Sequence, residues 1–217
     1  MSDVMLKGSA PESLPKTGAD AAPPERFAPE KVFAHLRARL TLDKLSAPLD
    51  EKSSFCDAAV LVGLAAYSDE VRVILTQRTA DLRVHAGQIA FPGGRIEAGD
   101  GSPAAAAVRE TREEIGLLPE TIEPLGYLEP FMTGTGFRIT PVIAKVETPL
   151  HFKPNPGEVA EVFEVPLAFL MDSANHCIRH RLFEGKERRF YAMPYGGRDI
   201  WGATASILRH LYERHYR

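Results

Sequence analysis

The stretch Ser102-Pro-Ala-Ala-Ala-Ala-Val-Arg-Glu-Thr-Arg-Glu-Glu-Ile-Gly116 carries a start signal, a stop signal and the strongest helix-forming composition in the chain. Ser102 suits the N-cap, where a hydroxyl oxygen accepts from a free backbone N–H, and Pro103 suits the first helical position. Four successive alanines favour the helix. Gly116 can take the left-handed conformation that ends it. A helix over residues 103–115 is therefore expected. At about 100° per residue, Ala104, Val108, Thr111 and Ile115 fall on one stripe, expected to face a core. Glu110, Glu113 and Glu114 fall together on roughly the opposite side.

Carboxylates three and four positions apart are neighbours on a helix, and each such pair repels by roughly a few tenths of a kcal/mol. Two arrangements relieve this. Either the acids form a solvated face, with Arg109 and Arg112 offsetting their charge, or they gather round a divalent cation, for which carboxylate oxygens are suitably hard ligands. The preceding residues bear on the choice. Phe91-Pro-Gly93-Gly94-Arg-Ile-Glu97-Ala-Gly-Asp100 contains paired glycines, which let the backbone turn sharply and present carbonyls and amides to a metal or a phosphate.

Outward from this segment the chain alternates strand-like and helix-like pieces. Phe33, Leu36 and Leu40 recur at helical spacing within residues 29–42. Apolar runs at 58–66 and 71–75 flank a Ser68-Asp69 turn and predict a hairpin. Residues 79–101 read as a long loop, a length usually kept for function. Further strands are expected at 125–131, 139–146, 177–183 and 189–192, the last two joined at Glu184-Gly185-Lys186. A short helix is expected at 165–171 and a closing helix at 203–216. Residues 1 to about 26 are rich in Pro, Ala, Gly and Ser and read as a flexible arm. A single mixed α/β domain is the simplest account of the remainder.

The chain has 217 residues, with 26 Lys and Arg against 29 Asp and Glu. That balance argues against a general nucleic-acid binder, which normally carries excess basic charge. No apolar run is long enough for a transmembrane helix, and the N-terminus lacks an apolar stretch fit for a signal peptide. Cys56 and Cys177 stand alone and suggest neither a disulfide framework nor a zinc site but reduced thiols in a cytoplasmic protein.

Joined to the glycine loop, the acidic helix resembles the signature of the Nudix hydrolases, G-x5-E-x7-R-E-U-x-E-E-x-G-U, where U is a bulky apolar residue. Here Gly94 is followed by five residues, Asp100, eight residues, and Arg109-Glu110-Thr111-Arg112-Glu113-Glu114-Ile115-Gly116-Leu117. Asp100 replaces a Glu, the spacer is one longer, and Thr111 takes an apolar slot. Upstream, Leu75-Thr76-Gln77-Arg78-Thr79, Arg83, Gly87 and Phe91-Pro92-Gly93-Gly94 look like the pattern that precedes this box in coenzyme A pyrophosphatases, L-T-x-R-[SA]-x3-R-x3-G-x3-F-P-G-G. Only Thr79 departs from it, and an Asp in the first acid slot with one extra spacer residue also occurs in that subfamily. Segments at 152–159, 161–167 and 200–205 look like its later parts, so the resemblance covers roughly residues 30–215.

The resemblance implies an α/β fold, the Nudix α/β/α sandwich with a mixed β-sheet, over residues 29–217 behind an arm at 1–28. It implies metal-dependent hydrolysis of the diphosphate bond of coenzyme A or its derivatives, to 3′,5′-ADP and 4′-phosphopantetheine. The alternatives are another nucleoside diphosphate derivative such as ADP-ribose, or a non-catalytic nucleotide-binding module, although the acids such modules tend to lose are all present. The cofactor would be Mg²⁺ or Mn²⁺. Glu110 and Glu114 would be its primary ligands, with Glu113 sharing the cluster, the Gly93 carbonyl adding a ligand, and Arg109 holding a glutamate in its pose. A further carboxylate would come from Glu158, with Glu161 as runner-up. Arg78 and Arg83 would grip substrate phosphates, alongside Gly87, Phe91 and Gly94 of the same pattern. Glu97 and Asp100 would fix the loop, and His85 is a bystander. Trp201 and Phe137 could stack on adenine, but burial in the core is the default for such rings. The partner is a small molecule, not nucleic acid or membrane, and a homodimer is compatible with it.

Overall fold

A computed structural model describes residues 24–43, 55–80, 86–183 and 186–217. Arg83, His85, residues 1–23 of the expected arm and Glu184-Gly185 of the expected turn lie outside them.

A 3-10 turn at Glu25–Phe27 leads into helix α1, Pro29–Arg37. The domain thus begins inside the stretch assigned to the arm at 1–28. Phe27 is buried and stacks on Tyr216, ring centroids 5.5 Å apart, so an aromatic ring there has a partner at the far end of the chain. Strands β1 (Cys56–Ala66) and β2 (Val71–Arg78) form the expected hairpin, closed by the Tyr67 amide donating to the Glu70 carbonyl at 3.0 Å. Two short strands, β3 (Ile89–Ala90) and β4 (Gly93–Arg95), break up the expected long loop. Helix α2 (Pro103–Ile115) has the expected bounds.

Strands β5 (Ile122–Tyr127), β6 (Phe131–Met132), β7 (Phe137–Glu147) and β8 (Val159–Pro166) follow. Helix α3 (Leu167–Leu170) is shorter than the helix expected at 165–171, because Val165 and Pro166 end β8. Strands β9 (Cys177–Phe183), β10 (Lys186–Tyr195) and β11 (Arg198–Trp201) precede the closing helix α4, Gly202–His215.

The main sheet runs β3-β2-β1-β7-β5, with β8 also on β2, β4 on β1 and β6 on β7. It is mixed: β1 is parallel to β7 over its whole length and antiparallel to β2 at one end and β4 at the other. Strands β9, β10 and β11 form a separate antiparallel sheet. Side chains of β1 alternate between two cores. Ala59, Leu61 and Ala65 pack with Ala106, Ala107 and Ile115 of α2. Val62 and Leu64 pack with Phe33 and Leu36 of α1 and Leu208 and Leu211 of α4. A strand covered on both faces reads as a continuous apolar run, as 58–66 does. This is the α/β/α sandwich.

Helix α2 is rotated from the expected orientation. Ala106, Ala107, Thr111, Glu114 and Ile115 are buried, whereas Ala104 and Val108 are only half-buried. Small alanines let the helix approach β1 and β4 closely, and this turns Glu114 inward beside the core rather than away from it.

Candidate active site

The loop between β4 and α2 fixes the first geometry. Ser102 caps α2, its hydroxyl accepting from the Ala105 amide at 3.1 Å, and Gly116 ends it in the left-handed conformation, φ 73°. Asp100 closes the loop by accepting from the Glu97 amide at 2.7 Å. It also takes two bonds from Arg109, at 2.8 and 3.1 Å, which hold its carboxyl below the usual range. The same guanidinium donates to Glu110 at 2.9 Å, to the Arg95 carbonyl at 3.1 Å and to Glu113 at 3.3 Å. Arg109 therefore ties helix, loop and β4 together.

Glu114 is the unusual acid. It is 5% exposed, one oxygen accepting from the Gly93 amide at 3.1 Å and the other lying 3.8 Å from an Arg78 nitrogen. Burial pushes its carboxyl up to about 7. The Gly93 bond and Arg78 pull it back, and the charges of Glu158 and Glu110 push it further up. Burial also raises Glu110, opposed by Arg109 and reinforced by Glu113 and Glu158. The Glu110 carboxylate lies against Gly94, where an added Cβ would stand 2.4 Å from its carboxyl carbon. At Gly93 a Cβ would come within 2.3 Å of the Ala59 carbonyl oxygen, so close backbone approach requires glycine there, whereas at Gly94 a side chain would have to displace the Glu110 carboxylate.

The expected residues are thus partly brought together. Glu110, Glu114, Gly93, Gly94 and Arg78 share one site, and Glu158 is close enough to be felt by both glutamates. Glu113 is mostly exposed; it shares the Arg109 guanidinium with Glu110, and its charge adds to the repulsion that Glu110 feels. Glu161 is ion-paired with Arg198 on β11. Among the described residues no three His, Cys, Asp or Glu side chains stand together in a metal-holding arrangement as they lie. The donor set nevertheless fits a hard divalent cation. Two carboxylates one turn apart resist ionisation through burial and mutual repulsion, with a third acid nearby, and a cation would relieve both penalties.

Beside Gly93 and Gly94 lies a cleft of about 1200 Å³. One wall comes from the main sheet, including Arg78, Phe91, Arg95, Phe131 and Phe137, and the other from the small sheet and the start of α4, including Arg188, Arg189, Phe190 and Trp201. Among the described residues no carboxylate lines it. Phe137 and Trp201 are cleft residues rather than buried core rings. Phe91 is both core and cleft floor. Gly87 is not in the cleft; it turns the chain at φ 68°, its amide donating to the Thr79 carbonyl at 3.3 Å. Of the small-sheet wall, sequence reasoning named only Trp201. The rest had a signal in Arg188-Arg189-Phe190-Tyr191, two cations followed by two aromatics, in a strand read only as structure.

The NUDIX domain family model matches residues 58–183. The uncharacterized Nudix hydrolase NudL of Pectobacterium atrosepticum is 36% identical over 193 residues, 87% of this chain and 95% of that protein. NudL of an Enterobacter species is 38% identical over 179 residues, 82% and 88% of the two chains. Among solved structures, the Nudix hydrolase RenU of M. smegmatis is 30% identical over 52% of this chain and 71% of that one, with a TM-score of 0.45.

Proposed function

The chain belongs to the Nudix hydrolase family, and we propose that its substrate is coenzyme A or a derivative, cleaved at the diphosphate bond to 3′,5′-ADP and 4′-phosphopantetheine. The observation that carries this reading is the union of buried Glu114 and half-buried Glu110 with a long cleft of arginines and aromatic rings that no carboxylate lines among the described residues. Such a cleft suits an elongated anionic nucleotide whose diphosphate lies near Gly93 and Gly94. The choice of coenzyme A over other nucleoside diphosphates rests on the Leu75–Gly94 pattern. Retention of Glu110, Glu113 and Glu114 favours a catalyst over a binding module.

Glu110 and Glu114 would hold Mg²⁺ or Mn²⁺ with Glu158 and the Gly93 carbonyl, and Glu113 would contribute through water. Bound there, the metal supplies charge neutralisation on the phosphoryl oxygens and a more acidic water. Arg109 keeps Glu110 and the loop in place. Arg78, with a buried Nε that has no hydrogen-bond partner among the described residues, is placed to reorient toward a phosphate oxygen. Glu158, on the turn before β8, is the candidate base. Among the described residues no acid lines the cleft, which keeps repulsion from an anionic substrate low. A cytoplasmic location belongs to the same reading, since both cysteines are free thiols.

The test is product analysis after incubation with Mg²⁺ or Mn²⁺ across a panel of coenzyme A, ADP-ribose and dinucleoside polyphosphates. The two phosphorylated products from coenzyme A are expected. Turnover of another panel member with coenzyme A untouched would reassign the substrate.

A further inference from the structure

The proposed chemistry uses the main-sheet wall of the cleft and leaves the small-sheet wall without a role. That wall is chemically distinctive. Arg188 and Arg189 follow one another on β10. Arg188 spans the cleft: a Cβ added at Gly134, in the turn between β6 and β7, would lie 3.2 Å from its Nη1. Arg189 is exposed, lines the cleft and has no carboxylate partner among the described residues. Beside them Phe190 and Trp201 form a tilted aromatic pair with centroids 5.6 Å apart. On the main-sheet wall the Arg95 guanidinium sits 5.8 Å from the centre of the Phe137 ring. The cleft therefore has two cationic regions, one at Arg78 and the glycines on the main sheet and one on β10, with aromatic surface between the sheets.

A substrate with only a diphosphate has one centre of negative charge and would leave the second region unmatched. A guanidinium presents donors in a fixed fork that fits a phosphate dianion, and an aromatic face beside it fits a purine. We propose that Arg189, assisted by Arg188, binds a second phosphate on the substrate, a monophosphate esterified to the ribose of the nucleoside, whose base packs on Phe190 and Trp201. The small sheet is then the element that distinguishes 3′-phosphorylated adenosine diphosphates from their unphosphorylated counterparts. This rests on the coenzyme A reading for the natural ligand but not for its test.

The test is calorimetric titration of the full-length protein in EDTA with two probes, 3′,5′-adenosine bisphosphate and 5′-AMP. Wild-type protein is expected to bind the bisphosphate about tenfold more tightly or better, the size of one charge-assisted hydrogen bond. Arg189→Gln should erase that preference with little change in 5′-AMP affinity, the double variant Arg188→Gln/Arg189→Gln should do so fully, and Arg189→Lys should restore part of it. Equal wild-type affinity for the two probes, or a preference that survives the double variant, overturns the proposal. The same variants are then compared on coenzyme A and dephospho-coenzyme A, where the loss should fall on KM for coenzyme A alone. If the binding preference is found but neither compound is hydrolysed, the subsite stands and the substrate reading fails.

Discussion

Glu114 occupies a place where the sandwich would otherwise put an apolar side chain. Its burial is tolerated because the Gly93 amide and Arg78 meet it and because its carboxyl is pushed up to about 7. Glu114→Gln keeps an acceptor for the Gly93 amide and removes a desolvated charge. Folding stability at neutral pH should therefore stay within about 1 kcal/mol of wild type, or rise. Turnover should fall by several orders of magnitude, because a neutral amide is a poor substitute for an anionic metal ligand. A near-normal rate would remove Glu114 from the metal site. Gly94→Ala separates packing from charge: its methyl enters the space of the Glu110 carboxylate. Rate and Mg²⁺ affinity should both drop while far-UV circular dichroism is unchanged. A metal site with Gly93 was implied only by the family resemblance, but that Glu110, Glu113 and Glu114 are neighbours was legible from spacing. The inward turn of Glu114 was not, because a helical projection gives which residues are neighbours but not which side of the helix meets the sheet.

Helix α2 is the element through which the site is assembled, and its ends are set by local chemistry that a sequence states openly. Ser102→Ala removes the acceptor for the Ala105 amide and should cost about 1 kcal/mol in urea unfolding. The Ser102 amide also donates to the Asp100 carbonyl at 2.7 Å, but through backbone atoms, so the loop that anchors Arg109 should survive. A stability loss without a matching loss of kcat is the expected result, and loss of kcat at full folding would show that the cap also sets the acids. Strands were less legible. The main-sheet pair β1 and β7 announce themselves as apolar runs. By contrast β8 carries Glu161 and Glu164 at a spacing of three, which breaks the period-2 pattern of a half-buried strand, and β11 is four residues long. Strand β8 pairs with β2 from far along the chain, which leaves no local signature, whereas β11 joins β10 across Gly196-Gly197, a hairpin signal that the strand reading at 189–192 left unused.

At the scale of the whole molecule, the two ends of the described chain meet. His215 on α4 lies edge-on to His35 of α1, and its Nδ1 is buried without a hydrogen-bond partner among the described residues. Burial, then the charges of His35, Arg39, His210 and Arg214, bring its pKa down to about 4. The unfolded chain therefore takes the proton first, at about 6.5. The stabilising contribution is complete above that pH and is lost as pH falls toward 4. His215 is half-exposed, which limits the effect to roughly 1–2 kcal/mol. Unfolding of His215→Phe across that window should show a flatter pH profile than wild type, and an unchanged slope would mean that other groups carry the acid sensitivity.

The same scale governs the cleft, which exists only because a second sheet stands beside the main one, and Trp201, the only tryptophan in the chain, lines it next to Phe190. Its emission is therefore a direct reporter of what enters. Titration with 3′,5′-adenosine bisphosphate in EDTA should quench it along the same isotherm that calorimetry gives, since a stacked purine changes the surroundings of the indole. Trp201→Phe should lose the signal yet retain binding within a few fold, because Phe190 still offers a ring. Saturation without a spectral change would place the base away from the small sheet and leave Arg189 to act, if at all, on a phosphate reaching it from another direction.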